Sequence, residues 1–279
     1  MQISKWIVVF CFLFSCRFAE KNDKSIKSPD GYDLSKSEKI SLPEELDEIS
    51  GIVYDEGSGT IVSLNDEEGV LYRFKPDSPR QFIDSRFHKG ADFEDLLSVG
   101  PYWYALKSNG HLFKISDAFT DNVQSKGFPF NQKGKHEFEA MLYDSSLNRI
   151  YIFCKICGKT PSVSPEAFSF DLGTEQFDST STLTIQLTRE QKKELKDNQQ
   201  VQISAAAIHP QTGDWWFVAS ASGLLLITDH QGNCKELIPL NRKKFKQPEG
   251  LTFNSAADLF ISNEAKTGIA NILIFRKKS

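Results

Sequence analysis

The sequence has no surplus of basic residues and lacks several short motifs that mark common catalytic sites. It carries 33 Lys and Arg against 37 Asp and Glu, a net charge of −4, so it offers no broad positive surface to a phosphate backbone. It contains no Walker loop, GxGxxG, GxSxG or HExxH motif. We therefore expect no nucleic-acid partner, and the sequence leaves open whether the protein is an enzyme.

Long hydrophobic runs are scarce too, and the most apolar one lies at the start of the chain. Nine apolar residues, Trp6–Phe14, follow Lys5, and nine is about half of the roughly 20 residues that span a bilayer. A positive charge followed by a short apolar run is typical of a secretory signal. We interpret residues 1–15 as a signal peptide.

The residues after this signal predict a lipid anchor. Leu13-Phe14-Ser15-Cys16 resembles a bacterial lipobox, so we expect Cys16 to be lipidated. Residues 16–31 are mostly polar and suit a flexible tether. The prediction is a cell-envelope lipoprotein that is anchored in the membrane and faces the periplasm or the cell surface. An ordinary cleaved signal and an uncleaved anchor are the alternatives.

Cysteine is sparse, with five residues in the whole chain. Beyond the signal and the predicted lipid site, only Cys154, Cys157 and Cys234 remain. The first two have CxxC spacing, but one such pair without a second is a weak zinc signal. We favour two half-buried thiols at the end of a strand, with a disulfide or a redox role as the alternative.

What the sequence does contain is an internal repeat of about 45 residues. Five segments share a polar start that leads into an apolar stretch, as at the beginning of a buried strand. The segments are Glu48–Asp55, Asp92–Ser98, Glu137–Asp144, Gln202–His209 and Gln247–Asn254. Their third residues are Ser50, Glu94, Glu139, Ser204 and Glu249, spaced by 44, 45, 65 and 45 residues.

Each repeat continues with further short apolar runs, and turn-forming pairs such as Asn109-Gly110 separate them. In the third repeat, for example, the fourth run is Leu183–Leu187. Four short antiparallel strands per repeat of this length form one blade of a β-propeller. We predict an all-β fold, a single five-bladed β-propeller over residues 32–279. Six blades is the alternative, because the 65-residue repeat could contain a degenerate blade.

The two ends of the sequence predict how the ring of blades closes. The fifth repeat has three strands, whereas Lys39–Pro43 precedes the first repeat and resembles Leu237–Leu240, which precedes the fifth. We therefore expect an N-terminal strand to complete the last blade, which leaves no exposed strand edge there. The extra residues of the long repeat are predicted to form a loop at 158–165 and a short solvated helix within 188–199.

The repeat also predicts where a site would lie. The first strand of each blade lines the central channel of a propeller, so one repeat position forms a ring around the axis. Residues two places earlier would share its strand face, and the loops after the second strands are also polar. We take as metal ligands Glu94, Glu139, Glu249 and Glu264. We take as ligand-binding residues Glu48, Asp92, Glu137, Asn65, Asp66, Lys107, Lys155 and Asn263.

Carboxylates crowded around a narrow channel need a cation nearby, since otherwise their pKa values rise. A bound metal ion, the lysines or both would supply it. Oxygen ligands without His or Cys favour calcium over zinc, so we expect Ca²⁺. The alternative is that Glu94–Lys107 and Glu139–Lys155 are internal ion pairs that fix the blades.

The blade starts DEISGIVYD, ADFEDL, HEFEAMLYD and QPEGLTF, behind a lipobox, resemble those of the SdiA-regulated domain family of bacterial propeller lipoproteins, related to phytase-like calcium propellers. The resemblance covers about residues 33–279. It implies a cell-envelope propeller with an acidic axial site that binds calcium, and it implies no established reaction. Glu94, Glu139 and Glu249 match the acidic blade start of the family, whereas Ser50 and Ser204 depart from it.

Three functions follow from these patterns. The first is a binding module that holds a small ligand, a calcium ion or an envelope protein at its acidic end. The second is a calcium-dependent hydrolase of phosphoesters or lactones, in which the metal would activate water and Lys107 and Lys155 would bind a phosphate. The third is an interaction propeller whose axis is filled by ion pairs.

Overall fold

A computed structural model describes residues 27–90, 92–158, 163–180, 182–196, 199–266 and 268–278. The predicted signal peptide and Cys16 lie outside these residues. The described strands are β1 (Glu38–Ser41), β2 (Ile49–Asp55), β3 (Thr60–Asn65), β4 (Val70–Phe74), β5 (Phe82–Arg86), β6 (Phe93–Val99), β7 (Tyr102–Lys107), β8 (Leu112–Ser116), β9 (Gln124–Phe128), β10 (His136–Asp144), β11 (Arg149–Cys157), β12 (Glu166–Asp171), β13 (Gln176–Phe177), β14 (Leu183–Thr184), β15 (Ala205–Ile208), β16 (Trp215–Ala219), β17 (Leu224–Thr228), β18 (Cys234–Pro239), β19 (Pro248–Phe253), β20 (Leu259–Asn263) and β21 (Asn271–Phe275). The described helices are a 3-10 turn, Glu44–Leu46, and α1 (Arg189–Glu194).

The described strands form five antiparallel sheets, and each sheet is one blade of a propeller. Blade 1 contains β2–β5, blade 2 contains β6–β9, blade 3 contains β10–β14 and blade 4 contains β15–β18. Blade 5 has the order β1-β21-β20-β19, so the N-terminal strand pairs with the last strand of the chain. The five-bladed prediction is confirmed. The predicted closure is confirmed as well, with Glu38 opposite Ile274 and Ser41 opposite Asn271.

The hydrophobic core lies between neighbouring blades. Val62 and Leu64 of blade 1 pack in one cluster with Phe93 of blade 2. At the closing seam, Ile274 of blade 5 belongs to the same cluster as Ile61 of blade 1. Because each sheet is covered on both faces, its middle strands can be apolar at nearly every position, which explains why the sequence shows continuous apolar runs there.

Blade 3 differs from the sequence prediction at its outer edge. Of the expected fourth strand, Leu183–Leu187, only Leu183–Thr184 forms, as β14. A second short strand, β13, completes this edge, and both strands pair with β12. A tight turn after β12 folds β13 back onto the end of that strand, which leaves only its beginning free for β14. The predicted helix is confirmed in α1, where Thr188 and Gln191 form a capping box and no side chain is buried. Within the described residues, neither helix has the length and apolar character needed to cross a membrane.

The innermost strand is irregular near its start in four of the five blades. The pairing register shifts between Ile49 and Ile52, between Phe93 and Asp95, around Phe138 and between Pro248 and Gly250. A β-bulge leaves one residue unpaired and changes the direction of its side chain. The unpaired residues of blades 2, 3 and 5 are Glu94, Glu139 and Glu249. The predicted ring position is thus a bulge position, and the alternation with a period of two is interrupted there.

The blades approach one another closely beside these bulges. A Cβ atom on Gly51 would lie 2.3 Å from the Leu96 backbone nitrogen of blade 2. A Cβ atom on Gly250 would lie 2.8 Å from the Ser50 carbonyl oxygen of blade 1. The residue after the ring position must therefore be small in these blades, because any side chain there would meet a neighbouring backbone.

Candidate functional site

Carboxylates gather at the end of the central channel where the innermost strands begin. We name this region the acidic mouth, and its six members are Glu48, Asp66, Glu94, Glu139, Glu249 and Glu264. They form one electrostatic unit, because burial and then the charges of four other members raise the pKa of Glu264 to about 8. Farther along, the innermost strands of all five blades line a cavity of about 190 Å³ with mainly apolar side chains. The mouth therefore adjoins apolar walls, in keeping with burial as the main cause of the raised pKa.

Within the acidic mouth, Glu48, Asp66 and Glu264 form a group that we name the three-carboxylate cluster. One carboxylate oxygen from each residue lies within 4.8 Å of the other two. Glu264 is buried, and the other two residues are half-buried. Three carboxylates this close repel one another unless a proton or a cation reduces their charge.

Backbone hydrogen bonds fix this cluster where blades 5, 1 and 2 meet. The Asp66 N–H donates to the Glu48 carbonyl over 3.1 Å, and the Asp66 carbonyl accepts from the Asp92 N–H of blade 2. The Glu264 N–H donates to the Gln247 carbonyl over 3.1 Å. The Gln247 side-chain amide also donates to the Glu264 carboxylate. Blade ends from distant parts of the sequence therefore bring the three carboxylates together.

The electrostatics of the three-carboxylate cluster favour the binding of a cation. Burial, followed by the charges of Glu48 and Glu67, raises the pKa of Asp66 to about 6. Asp66 Oδ1 is buried and has no hydrogen-bond partner among the described residues. A buried oxygen without a partner is costly. A cation bound between the three side chains would remove this cost and reduce their repulsion.

The other three mouth carboxylates surround Lys155. Its Nζ forms an ion pair with Glu139. Burial and the charge of Glu139 raise the pKa of Glu94 to about 8, although Lys155 opposes the shift. Burial also raises the pKa of Glu249 well above its ordinary value. One lysine thus acts on three carboxylates. The Glu139–Lys155 ion pair, which the sequence offered as the alternative to a metal at this position, is present.

Three of the predicted ligand residues have other side-chain partners, although the charges of Asp92 and Glu137 still act on mouth carboxylates. Asp92 is exposed and accepts a hydrogen bond from the Ser108 hydroxyl. Glu137 pairs with Lys135 at 3.0 Å. Lys107 Nζ lies 5.4 Å from the centroid of a phenylalanine ring, and among the described residues it forms no ion pair with a mouth carboxylate.

The two predicted asparagine ligands lie in the loops after second strands. The Asn65 amide donates to the Glu45 carbonyl, and its Oδ1 accepts from the Glu68 N–H. Asn65 therefore shapes the loop that carries Asp66. The buried Asn263 amide donates to Asn271 over 3.2 Å, and Asn263 Oδ1 has no partner in the described part of the chain.

The sequence patterns did not indicate a structural role for the buried carboxyl of Asp95. Its oxygens accept from the Leu96 N–H at 2.7 Å and from the Met141 N–H of blade 3 at 2.6 Å. Burial raises its pKa to about 8 despite these bonds. The side chain therefore ties blade 2 to blade 3. Its signal was present in the repeat, where an acid replaces the small residue found after the ring position in other blades.

The CxxC pair is a disulfide between Cys154 and Cys157, the alternative that the sequence left open. The two cysteines flank Lys155, so the bridge lies directly beside the ion pair of the acidic mouth. Cys234 is a buried free thiol, and burial raises its pKa to about 11. A buried thiol with a raised pKa is unreactive.

The raised pKa values of the mouth carboxylates predict that the free energy of unfolding decreases as the pH rises. Glu94 and Glu264 each have a pKa of about 8 in the folded chain against an ordinary 4.5. A carboxyl whose pKa is higher in the folded than in the unfolded chain binds its proton more tightly when the chain is folded. Its contribution to the free energy of unfolding is therefore fully present below the unfolded pKa and is lost as the pH rises through the folded pKa. We expect the melting temperature in chelator to decrease between about pH 5 and pH 8.5 in calorimetry. Glu264→Gln should reduce this slope, and a melting temperature that increases over the interval would contradict the assignment.

Comparison with known proteins agrees with the geometry of the fold. The model of the SdiA-regulated family matches residues 30–267, which confirms the resemblance seen in the sequence. No curated protein matches the chain. A glutaminyl cyclase from Myxococcus xanthus is similar in structure at 13% identity and a TM-score of 0.58, with 86% of this chain and 94% of that chain covered. A luciferin-regenerating enzyme is similar at 10% identity and a TM-score of 0.52, with 86% and 95% covered. Likeness at these identities shows the propeller fold alone.

Proposed function

The chain belongs to the SdiA-regulated family, and from its acidic mouth we propose that it is a cell-envelope binding protein that holds a calcium ion at the three-carboxylate cluster. One observation carries the proposal. Oxygens of Glu48, Asp66 and Glu264 lie within 4.8 Å of one another, and Asp66 Oδ1 is buried without a partner. Calcium binds six to eight oxygen ligands, so the three side chains would provide part of a coordination shell.

The donor set fits calcium better than a transition metal. All three ligands are carboxylates, which are hard oxygen donors, whereas imidazole and thiolate ligands select zinc and copper. The ligands come from three separate segments rather than from one rigid loop, and calcium tolerates such irregular geometry more readily than magnesium does. Coordination positions beyond the protein oxygens would be open to a ligand.

The mouth carboxylates around Lys155, which are Glu94, Glu139 and Glu249, would then lie next to that ligand. A bound calcium ion attracts the oxygen atoms of a small polar molecule. The chain itself contributes Lys155, whose side chain is 41% exposed and whose charge is shared with Glu139. Protonated Glu94 would donate a hydrogen bond at neutral pH, since its pKa is about 8. These groups suit a ligand rich in hydroxyl or carboxylate oxygens.

Calcium titration by calorimetry tests the proposal directly. Glu264→Gln keeps the shape of the side chain and removes one anionic ligand, so we expect calcium affinity to fall about tenfold or more, equivalent to about 1.4 kcal/mol. Glu137→Gln is the matched control. Glu137 lies in blade 3 at the same end of the propeller as Glu264, but it pairs with Lys135. Equal binding by both variants, or no binding by the wild type, would overturn the proposed site.

Calcium-dependent hydrolysis remains the second candidate function, and the geometry supports it less well. The two lysines predicted to bind a phosphate do not act together. Lys155 is paired with Glu139, whereas Lys107 contacts a phenylalanine ring. A turnover of phosphoester or lactone substrates that requires calcium and is lost in Glu264→Gln would favour the hydrolase over the binding protein.

We propose the membrane anchor from the sequence, and the contacts of the first described residues support one orientation for it. Lys27 donates to the Leu237 carbonyl at 3.1 Å, and the Tyr32 hydroxyl bonds to His209 at the far end of the innermost strand of blade 4. The first described residues therefore run from the outer edge of blade 4 to the face opposite the acidic mouth. An anchored propeller would direct its acidic mouth away from the lipid surface.

Cys16→Ser tests the anchor. If Cys16 carries the lipid, the variant should lose acylation and leave the membrane fraction, while the propeller still folds. Fractionation and gel mobility measure both changes. Wild-type amounts of the variant in the membrane fraction, with unchanged mobility, would exclude a lipid on Cys16.

A further inference from the structure

The disulfide between Cys154 and Cys157 shortens strand β11 beside the acidic mouth. The Cα atoms of the two cysteines are 5.7 Å apart. Three residue steps of an extended strand would cover about 10 Å. The bridge therefore requires a contracted backbone at Lys155 and Ile156, and a regular strand could not accommodate it.

The pairing between β10 and β11 shows where this contraction lies. Ala140 opposite Phe153 and Glu137 opposite Ile156 share one register, and only the pair between them, Phe138 with Cys154, is displaced by one residue. Two bulges of one residue each, on facing strands, thus cancel. A regular ladder through this segment would need only a local shift, without moving either end. The disulfide is compatible with the bulged pairing, and its reduction would remove a constraint on β11.

The two residues left unpaired by these bulges are Glu139 and Lys155, the partners of the mouth ion pair. In a regular ladder both would return to the alternation of their strands, and their side chains would change direction. The disulfide is thus positioned to maintain the contact between the lysine and the carboxylates.

Within the described part of the chain, space for a small thiol lies beside this disulfide. Both cysteines line a cavity of about 280 Å³. Cys157 is half-buried, whereas Cys154 is only 5% exposed. An attacking thiolate would therefore meet the Cys157 sulfur first.

We propose that Cys154–Cys157 is an exchangeable redox couple whose reduction by a small-molecule thiol releases Lys155 from Glu139 and so alters the acidic mouth. The thiolate of the reductant attacks Cys157 Sγ, the Cys154–Cys157 bond breaks, and Cys154 leaves as a thiolate that takes a proton from water. A second reductant thiol then attacks the mixed disulfide and releases Cys157. Two external thiols are oxidised to one disulfide, and the protein gains two thiols.

Lysine labelling measures the release directly. The oxidised and the dithiothreitol-reduced wild type would be acetylated briefly with an amine-reactive ester, and each lysine would be quantified by peptide mass spectrometry. We expect Lys155 to react several-fold faster in the reduced protein, because it has lost its ion pair. Lys107, which occupies the equivalent place in blade 2 and has no disulfide beside it, is the internal control and should react equally in both states.

A double variant, Cys154→Ser with Cys157→Ser, should label like the reduced wild type. If that variant does not fold, reduction of the wild type alone decides. The proposal is overturned if folded protein resists dithiothreitol, or if thiol counting shows full reduction while Lys155 labelling stays unchanged.

The effect on calcium rests on the proposed function and is measured separately. Release of Lys155 removes a positive charge from the acidic mouth, so the reduced protein should bind calcium more tightly, by about fivefold if the coupling lies at the low end of the usual range. Lys155→Gln should remove the difference between the two redox states. Faster labelling of Lys155 without calcium binding in either state would support the redox couple and contradict the calcium site.

Discussion

Removal of strand β1 should unfold the propeller, although this strand has only four residues. Three chains allow the test, starting at Lys27, at Ser37 and at Pro43. The first should melt like a chain with the complete N-terminal segment, and the second should melt at a lower temperature because it lacks the buried Tyr32 and Leu34. The third should fail to fold or lose most of its stability, as measured by circular dichroism and calorimetry.

The reason for the large effect lies in the closure of the ring. Without β1, strand β21 would become an exposed edge, and the Leu42 side chain, 3% exposed, would be lost from the seam between blades 5 and 1. Burial of such a side chain contributes about 1.5–3 kcal/mol. With the net contribution of the strand's hydrogen bonds, the loss is on the order of 5 kcal/mol, comparable to the total stability of many domains.

The chain starting at Ser37 serves as the control, because it lacks the same N-terminal contacts as the shortest chain but retains the strand. If the chains starting at Ser37 and at Pro43 melt alike, strand β1 does not close the ring. If all three melt alike, the N-terminal segment contributes nothing measurable to the fold.

The architecture was predictable because each blade repeats the same apolar runs and turns. Five similar segments gave the blade count, and the likeness between Lys39–Pro43 and Leu237–Leu240 gave the closure. These signals are local in sequence, since each reports a strand and its neighbour. The split outer edge of blade 3 escaped prediction, because two short pairs on one strand leave a weaker pattern than one continuous strand.

The grouping of the site residues was harder to predict than their identity. Sequence alternation placed Glu48 on the strand face of the ring, but bulges interrupt the alternation, and Glu48 instead meets Asp66 and Glu264. A bulge depends on pairing with a neighbouring strand, so a period of two in one segment does not reveal it.

Lys107 and Lys155 illustrate the same limit. They occupy equivalent repeat positions, yet Lys107 pairs regularly with Phe93 in the strand ladder, whereas Lys155 is an unpaired residue beside a disulfide. Only Lys155 reaches a mouth carboxylate among the described contacts. The CxxC spacing was visible in the sequence, but its effect on the direction of one side chain was not.

Calcium should raise the melting temperature of the wild type, and chelator should lower it again. A ligand that binds only the folded state stabilises it by about 2.7 kcal/mol at a hundredfold excess over its dissociation constant. In a domain of this size, each 1 kcal/mol shifts the melting temperature by about 2–4 °C. The expected increase is therefore about 5–10 °C at that excess. Calorimetry near pH 8 is the appropriate measurement, because Glu264, with a pKa of about 8, is then substantially deprotonated and able to bind a cation.

Glu264→Gln separates a calcium site from a cluster that is merely crowded. The variant should be more stable than the wild type in chelator, because it relieves repulsion from Glu48 and Asp66 and retains an oxygen that accepts from Gln247. It should respond little to calcium. Glu139→Gln should behave differently, losing about 1 kcal/mol or less through the half-exposed Lys155 while keeping its calcium response. If calcium stabilises Glu264→Gln as much as the wild type, the ion binds elsewhere. If neither the wild type nor Glu264→Gln responds to calcium, protons alone relieve the repulsion at the acidic mouth. Glu264→Gln and Glu139→Gln will then differ only in how their stability depends on pH.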